Sequence, residues 1–220
     1  MRAELENEGY VVVRGLLDSD WIEKLKTEES RFARTDHALS VQVQLVHRSA
    51  VIREFVTSGP QIPHVIQALG PNVCFTHQQY VTKHADERSR TDVPWHQDNG
   101  YGRLEPPDDL TVWITLDDCD ERNGCLWVVP GSHRKGLLPH APAHGLMAAE
   151  SNEEGIPLPM NAGDAVLFGS LLLHRSLPNE TDRTRVAMYA RYCEPHVIMV
   201  TEGNKPVLQD GFSWMVAGEA

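Results

Sequence analysis

Residues 110–131, LTVWITLDDCDERNGCLWVVPG, contain two apolar runs that are separated and closed by turn residues. The runs Leu110–Leu116 and Cys125–Val129 have the length of β-strands, whereas Asn123-Gly124 and Pro130-Gly131 are dipeptides typical of turns. The short segment between the runs leaves no room for the helix that a parallel β-α-β unit requires. This stretch therefore predicts two short strands of antiparallel sheets and not a parallel α/β sheet.

The same alternation of apolar runs and turns continues on both sides of this stretch, from Asn72 onward. We predict further strands at Val73–His84, Asp164–Phe168, Leu171–His174 and Arg185–Cys193. Turn residues separate them at Asn99-Gly100, Pro106-Pro107, 161–163 and Pro178-Asn179. Several short strands without helices between them are typical of antiparallel sheets that close into a sandwich or a jelly roll.

The N-terminal third of the chain contains helix signals around two short strands. Asp20 and Glu23 have capping-box spacing at the start of the first helix. In chain order, we predict a strand within Glu8–Leu17, a helix at Trp21–Ala33, a strand at Val41–Val46, and helices at Ala50–Thr57 and Pro63–Leu69.

At 220 residues, the chain has the length of one domain with a substantial core. We predict a single domain over residues 1–220 that is mainly β with N-terminal helices (α+β). Residues 1–71 are expected to form a strand-and-helix support, residues 72–194 the jelly-roll core and residues 195–220 a C-terminal tail.

Composition and charge narrow the functional classes. The formal net charge of −11 is the opposite of the basic face that nucleic-acid phosphates require. No apolar run reaches the ~18 residues of a membrane span, and the polar, acidic first residues do not form a secretory signal. Four scattered cysteines indicate reduced thiols in a cytoplasmic protein. We therefore expect a small-molecule partner, with no nucleic acid and no membrane; no pattern indicates an oligomeric state.

A candidate metal site lies around His96 and Asp98. Residues two apart on an extended strand point to the same face, so both side chains can reach one ion. His174, at the end of an apolar run, is the best third ligand. Two imidazoles and one carboxylate leave three positions of an octahedral ion open, which suits non-haem Fe(II). In a chain with 11 histidines, however, an isolated His-x-Asp pair is a weak signal.

The surrounding motifs strengthen this signal. Residues 95–98 read WHQD, residues 123–133 read NGCLWVVPGSH, residues 163–174 read GDAVLFGSLLLH, and Arg185 follows. In this order they resemble the phytanoyl-CoA dioxygenase family of Fe(II)/2-oxoglutarate oxygenases. The resemblance extends over about residues 73–192, more than half of the chain.

The resemblance implies a fold, a cofactor and two co-substrates. The fold is a double-stranded β-helix, a jelly roll of cupin-like type, in agreement with the pattern of strands and turns. His96, Asp98 and His174 would bind Fe(II), and 2-oxoglutarate and O₂ would be consumed with the substrate.

The co-substrate needs an anchor for the carboxylate that lies away from the metal. Arginine offers a planar and permanently charged fork for this purpose, whereas lysine offers a point charge. The resemblance places Arg185 on that carboxylate, with Ser176 beside it as a hydroxyl donor. Arg183 and Arg191 are nearby alternatives to Arg185.

The strand from Val73 to His84 is expected to line the same pocket. On a period of two, Gln79, Val81 and Lys83 share one face of this strand. By the resemblance, Gln79 and Lys83 are candidates for further contacts with the co-substrate. A solvated surface lysine is an equally good interpretation of Lys83.

Other residues favour structural roles or leave their roles open. His133 follows a turn outside the triad, and we expect a structural or substrate-side role for it. Residues 133–159, rich in Pro, Gly, His and Glu, are predicted to form a long loop that is a candidate lid. The basic residues Arg88, Arg90 and Arg103 near the metal motif fit either an anionic substrate or solvated charges.

The reaction that the resemblance implies is hydroxylation of a small molecule with release of succinate and CO₂. Related halogenases replace the carboxylate ligand with a small residue, so Asp98 argues against halogenation but leaves desaturation, epoxidation and ring formation open. One alternative is a redox-neutral isomerase or hydrolase on a cupin-like jelly roll, holding Zn²⁺ or Mn²⁺, which would not need Arg185. The other alternative is a binding module without turnover.

Overall fold

The structure is a computed structural model that describes residues 1–33, 38–85, 91–200, 206–207 and 214–218. Among these residues, none of the helices is long and apolar enough to cross a membrane. The helices are α1 (Arg2–Glu8), α2 (Ser19–Phe32), α3 (Ala50–Ser58) and α4 (Ile62–Leu69), and short 3₁₀ turns occupy Leu45–His47, Asp98–Gly100 and Ser132–Lys135.

Most of the remaining chain forms short strands. They are β1 (Tyr10–Val13), β2 (Leu39–Val43), β3 (Val73–Lys83), β4 (Val93–His96), β5 (Arg103–Glu105), β6 (Asp109–Thr115), β7 (Leu126–Val128), β8 (His140–Ala143), β9 (Leu146–Ala149), β10 (Ile156–Leu158), β11 (Ala165–Phe168), β12 (His174–Ser176), β13 (Arg185–Cys193), β14 (Ile198–Val200), β15 (Pro206–Val207) and β16 (Trp214–Ala217).

Two antiparallel sheets form the body of the protein. The major sheet has the order β1-β11-β6-β13-β3-β16, and β2 also pairs with β3. The minor sheet has the order β10-β7-β12-β4. Side chains of both sheets line one cavity, as in a jelly roll. The predicted fold class, mainly β with N-terminal helices, is confirmed.

The two faces of the major sheet have different roles. On β13, Val186, Met188, Ala190 and Tyr192 belong to a buried apolar cluster that also contains residues of α2, α3 and α4. The alternate residues of β13 face the cavity, because successive side chains of a strand point to opposite faces. Each large apolar side chain buried under the helices contributes about 1.5–3 kcal/mol. The helices therefore stabilise the sheet without occupying the cavity.

The sequence did not indicate α1, because this segment is polar and has no buried residue. The helix ends at Gly9, whose φ of 84° closes its C-terminus. It is held by the turn after β7, where the Gly131 amide donates to the Glu8 carbonyl at 2.8 Å and the His133 imidazole lies 3.1 Å from the Glu6 carbonyl. His133 thus contacts the N-terminal helix.

Two predicted strands have different bounds in the structure. The strand predicted at Leu171–His174 is wrong for its first three residues, because they form a turn and β12 begins at His174. Leu172 and Leu173 are buried in this turn, so the apolar run reflects burial and not a strand. The strand predicted at Val41–Val46 ends at Val43, since Gln44 adopts a left-handed backbone conformation with a φ of 53°.

The segment 133–159 is not the long loop that its composition predicted. It contains the hairpin β8–β9 and the strand β10, which pairs with β7. The two-residue turn of the hairpin, His144-Gly145, has positive φ at both positions, 52° and 82°. Such turns match the twist of an antiparallel pair. Whether this hairpin acts as a lid remains a prediction.

Candidate active site

The ligand candidates meet on the cavity face of the minor sheet. His174 is the direct cross-strand partner of His96, and Asp98 begins the 3₁₀ turn just after β4. The Nε2 atoms of His96 and His174 lie 3.8 and 3.6 Å from Asp98 Oδ1. One ligand atom from each residue lies within 4.8 Å of the other two. The fold therefore brings together all three residues that the sequence singled out for metal binding.

Both imidazoles are oriented by main-chain carbonyls. His96 Nδ1 donates to the Pro94 carbonyl and His174 Nδ1 to the Leu172 carbonyl, each at 2.9 Å. With the proton on Nδ1, the Nε2 lone pair is left for a metal ion. Burial lowers the pKa of His96 from 6.5 to about 3, and burial also lowers the pKa of His174. Both side chains are therefore neutral at neutral pH, as metal ligation requires.

The carboxylate of Asp98 is held from its other side. Its Oδ2 accepts a hydrogen bond from Thr111 Oγ1 and one from Arg191 Nη2, both at 2.8 Å. Burial opposes the ionisation of Asp98, but Arg191 and the two imidazoles outweigh it and hold the pKa of this carboxyl below its usual range. Oδ1 is left on the side of the histidines.

Arg191 also lies beside a second buried carboxylate. Its Nε is 3.4 Å from Asp109 Oδ2, and Asp109 Oδ1 accepts a hydrogen bond from the Ser170 amide at 3.2 Å. Sequence reasoning named Arg191 only as an alternative anchor for the co-substrate. In the structure, its guanidinium bridges Asp98 and Asp109 instead. The sequence signal that could have placed Arg191 in the site is strand alternation, which puts it on the cavity face of β13.

Gln97, between two of the ligand candidates, fixes the backbone of the metal motif. Its side chain is fully buried and donates to the carbonyls of Gly136 and Leu171 at 2.9 and 2.7 Å. Its amide oxygen accepts from the Leu138 amide at 2.7 Å. The Gln97 backbone amide donates to His140 Nε2 at 3.0 Å. His140 thus supports the metal motif.

Arg185 lines the same cavity and is only 1% exposed. Its Nη1 and Nη2 donate to the carbonyls of Val81 and Gly124 at 3.2 and 3.0 Å, and its Nε has no partner. No ion pair joins it to an acidic side chain within the described part of the chain, and burial lowers its pKa to about 10. A buried guanidinium with only carbonyl partners fits an incoming carboxylate. Ser176 lines the cavity as well.

Lys83 and Gln79 have different environments. Lys83 is fully buried, which excludes a solvated surface role, and its Nζ donates to the Leu177 carbonyl. Burial and the neighbouring Arg185 lower the pKa of Lys83 well below its usual value. Lys83 does not reach the cavity wall, whereas Gln79 does. Gln79 accepts a hydrogen bond from the Tyr189 hydroxyl at 3.1 Å.

The cavity between the sheets has a volume of about 660 Å³. It contains the His96, Asp98 and His174 side chains on one wall and Arg185 on the other. Of the basic residues that the sequence left open, Arg103 is half exposed and pairs with Glu105 at 2.9 Å. Residues 88 and 90 lie outside the described residues.

We expect Gly124→Ala to destabilise the protein by about 3 kcal/mol. Gly124 has a φ of +83°, and a Cβ there would lie 2.6 Å from the Leu177 carbonyl oxygen and 2.9 Å from Lys83 Nζ. The control is Gly15→Ala, where φ is +61° but no atom lies within 4 Å of the added Cβ. Gly15→Ala should lower the free energy of unfolding by about 1 kcal/mol, because it introduces backbone strain at a positive φ but no close contact. Urea unfolding measures both; equal losses would contradict the close approach.

The metal-free protein is expected to lose stability on acidification because of His96. Below pH ~6.5 the unfolded chain binds a proton at His96 that the folded chain does not bind until about pH 3. The free energy of unfolding should therefore fall by about 2 kcal/mol between pH 6.5 and 5 on account of this residue. Urea unfolding with a chelator should show a shallower pH dependence for His96→Gln. Identical pH dependences would contradict the burial of a neutral imidazole.

The fold and the site together define a class, namely double-stranded β-helix proteins with a candidate mononuclear metal site on the cavity face of the minor sheet. The sequence profile of the phytanoyl-CoA dioxygenase family (PhyH) matches residues 5–187. The chain belongs to this family, which confirms the resemblance drawn from the motifs.

Among characterised relatives, the peroxisomal phytanoyl-CoA dioxygenase of Bos taurus is 27% identical over 86% of this chain, and that of Mus musculus is 28% identical over 85%. The chain spans 66% and 65% of the lengths of these two relatives, slightly less than two thirds.

Solved structures share the fold. The epimerase SnoN in complex with Fe³⁺, alpha ketoglutarate and nogalamycin RO superposes with a TM-score of 0.79 at 20% identity, covering 92% of this chain and 85% of SnoN. The non-heme monooxygenase ThoJ in its apo form has a TM-score of 0.78 at 21% identity, covering 100% of this chain and 84% of ThoJ. At this level of identity, the likeness establishes the jelly roll.

Proposed function

We propose that this protein is a non-haem Fe(II) oxygenase that depends on 2-oxoglutarate and oxidises a small-molecule substrate. One observation carries the proposal: a buried His-Asp-His triad and a buried arginine, which has no acidic partner among the described residues, line the same cavity. Fe(II) and 2-oxoglutarate, when bound, supply the activation of O₂ and the oxidation of a substrate C–H bond, with release of succinate and CO₂.

In this proposal, His96, Asp98 and His174 are the metal ligands. Their donor set, two neutral imidazoles and one carboxylate, fits non-haem Fe(II) and leaves positions open for co-substrates. The main-chain carbonyls that orient the two imidazoles and the Thr111 hydroxyl that orients Asp98 keep the donor atoms in place before an ion binds.

Arg185 is proposed to hold the far carboxylate of 2-oxoglutarate, and Ser176 to donate a hydroxyl beside it. A carboxylate would give the buried guanidinium the counter-charge that it lacks among the described residues, in a site where charge-assisted hydrogen bonds are strong. On the strength of the family resemblance, Gln79 is proposed as a further contact, and Lys83, which does not reach the cavity wall, is proposed to act on the co-substrate indirectly. The burial of Lys83 beside Arg185 is compatible with an indirect, electrostatic contribution.

The proposed outcome is hydroxylation, with desaturation, epoxidation and ring formation as other outcomes of the same oxidation. Asp98 keeps the carboxylate ligand, which argues against halogenation. SnoN and ThoJ, which share this fold, are described as an epimerase and a monooxygenase, so the fold does not fix the outcome. A cytoplasmic location is proposed as well, supported by the four free, buried cysteines.

The test is an anaerobic titration of the Fe(II)-loaded protein with 2-oxoglutarate, followed through the visible charge-transfer band of the chelated ferrous ion. We expect the band in the wild type and in His196→Ala, which alters an exposed histidine, but not in His174→Ala. Absence of the band from wild-type protein with bound metal would overturn the proposal in favour of a redox-neutral metal protein. Succinate release under air then separates an oxygenase from a binding module.

A further inference from the structure

The charged side chains on the described cavity wall are already engaged. Asp98 and Arg191 form an ion pair, and Arg191 also lies against Asp109. The guanidinium of Arg175 lies over the rings of Trp95 and Trp127, 4.5 and 5.0 Å from their centroids.

Arg185 and Arg175 lack an acidic partner among the described residues; the proposed function assigns Arg185 to the co-substrate, and Arg175 is stacked on the two indole rings. Each charged side chain among the described lining residues therefore has an acidic, aromatic or proposed co-substrate partner.

Most of the wall away from the metal is apolar. It is formed by Leu39, Val41, Val81, Leu104, Leu146 and Met199. Val41 is 46% exposed and Tyr101 49%, so apolar surface continues to the open side of the cavity. A wall of this kind favours a ligand that buries an apolar body.

Polar side chains interrupt this wall. Three of them are in contact with one another, namely His77, Gln79 and Tyr189, and are called here the polar strip. Gln79 and Tyr189 are direct cross-strand partners, and Gln79 Oε1 accepts from the Tyr189 hydroxyl at 3.1 Å and lies 3.4 Å from His77 Nε2. The imidazole of His77 stacks on the Tyr189 ring at 5.7 Å.

The strip has hydrogen-bonding capacity left over for a ligand. His77 and Tyr189 both approach the Oε1 atom of Gln79. The side-chain Nε2 of Gln79 has no partner among the described residues. It is a donor, and the Tyr189 hydroxyl and the His77 ring add acceptor sites. A few placed polar groups in an apolar pocket fix the orientation of a ligand.

The strip is separate from the Arg185 end of the wall. Arg185 lies opposite Lys83, whereas Tyr189 lies opposite Gln79. Gln79 is therefore about 13 Å from Lys83 along the strand, at ~3.3 Å per residue. At the other end, His77 lies opposite Arg191, which contacts the ligand candidate Asp98.

We propose that the cavity takes a neutral, largely apolar molecule with at least one hydroxyl or carbonyl oxygen, and that the polar strip binds this oxygen. The inference rests on the proposed function, because it assigns the substrate class of the same site. It also assigns Gln79 to the substrate, in place of the co-substrate contact that the family resemblance proposes. The experiment separates these two roles.

The test is isothermal titration calorimetry on protein loaded with redox-inert Ni(II). 2-Oxoglutarate is titrated first, and three probes follow: 2-naphthol, 2-naphthoate and 2-naphthoyl-CoA. We expect 2-naphthol to bind at least ten times more tightly than the two anionic probes. Gln79→Leu and Tyr189→Phe, which keeps the ring stack, should each weaken 2-naphthol by about 3- to 10-fold. Tyr189→Phe, at a residue with no proposed contact to the co-substrate, should bind 2-oxoglutarate within about twofold of the wild type.

Three outcomes would overturn the inference: an anionic probe that binds as tightly as 2-naphthol, no binding of 2-naphthol, or variants that weaken 2-oxoglutarate and leave 2-naphthol unchanged. Failure of the proposed function has a different signature, since 2-oxoglutarate would then give no binding heat in the first titration. Circular dichroism of each variant identifies any loss of fold.

Discussion

Arg185→Met is expected to weaken the binding of 2-oxoglutarate by about 30-fold to several thousandfold, corresponding to ~2–5 kcal/mol. The reason is the burial of the site: Arg185 is 1% exposed and has no acidic partner among the described residues. Without it, the far carboxylate of the co-substrate would be buried with no counter-charge. Anaerobic titration of the Fe(II)-loaded protein measures the change in affinity.

Arg183→Met is the matched control for this experiment. Arg183 is exposed in the turn just before β13, and the sequence alone left it as an alternative anchor. We expect Arg183→Met to bind 2-oxoglutarate like the wild type. Equal effects of the two substitutions, or an unchanged affinity in Arg185→Met, would contradict the role proposed for Arg185.

Arg191→Met is expected to damage both stability and metal binding. Arg191 lies 2.8 Å from Asp98 Oδ2 and 3.4 Å from Asp109 Oδ2. Removing one member of a buried charge cluster leaves the others unpaired and costs about 3–5 kcal/mol of unfolding free energy. Loss of an outer partner of a metal ligand lowers metal affinity by about 10- to 100-fold. Urea unfolding of the apo protein and a competition titration with a chelating dye measure the two effects.

Thr111→Val separates these two effects. It removes one hydrogen bond to Asp98 Oδ2, 2.8 Å long, but leaves the ion pairs of Arg191 in place. We expect a loss of metal affinity with a stability change of about 1.5–3 kcal/mol, smaller than that of Arg191→Met. If Arg191→Met bound metal as tightly as the wild type, this would contradict the role of Arg191 in orienting the Asp98 carboxylate.

Strand alternation predicted most of the fold. β13 has the predicted bounds, Arg185–Cys193, because a buried apolar side chain occupies every second position from Val186 to Tyr192 and Pro195 follows the end of the strand. The three ligand candidates were identified from the spacing of His96 and Asp98 and from the motifs around them. Strand alternation alone does not distinguish Arg185 from Arg191, since both point to the same face of one strand, and the choice of Arg185 came from the family resemblance. The ion pair of Arg191 with Asp98 depends on tertiary structure and was not predicted.

The elements that the sequence missed are stabilised by tertiary contacts. α1 has no apolar stripe, and it is held by hydrogen bonds to the turn at Gly131 and His133. The hairpin β8–β9 has few β-branched residues and a Pro142 within its first strand. Its signal was the His144-Gly145 turn, which composition alone assigns to a loop.

The way in which the imidazoles are held has a consequence for metal selectivity. His96 and His174 are each fixed by a main-chain carbonyl at 2.9 Å, and neither bond involves a metal ion. Sites with nitrogen and oxygen donors bind Fe(II) more weakly than Co(II), Ni(II), Cu(II) or Zn(II). These hydrogen bonds hold the imidazoles in the same way for each of these ions and do not by themselves reverse that order. The ion that the protein carries is therefore determined by the metal supply during loading, and protein purified from a zinc- or nickel-rich source should be inactive until the metal is exchanged.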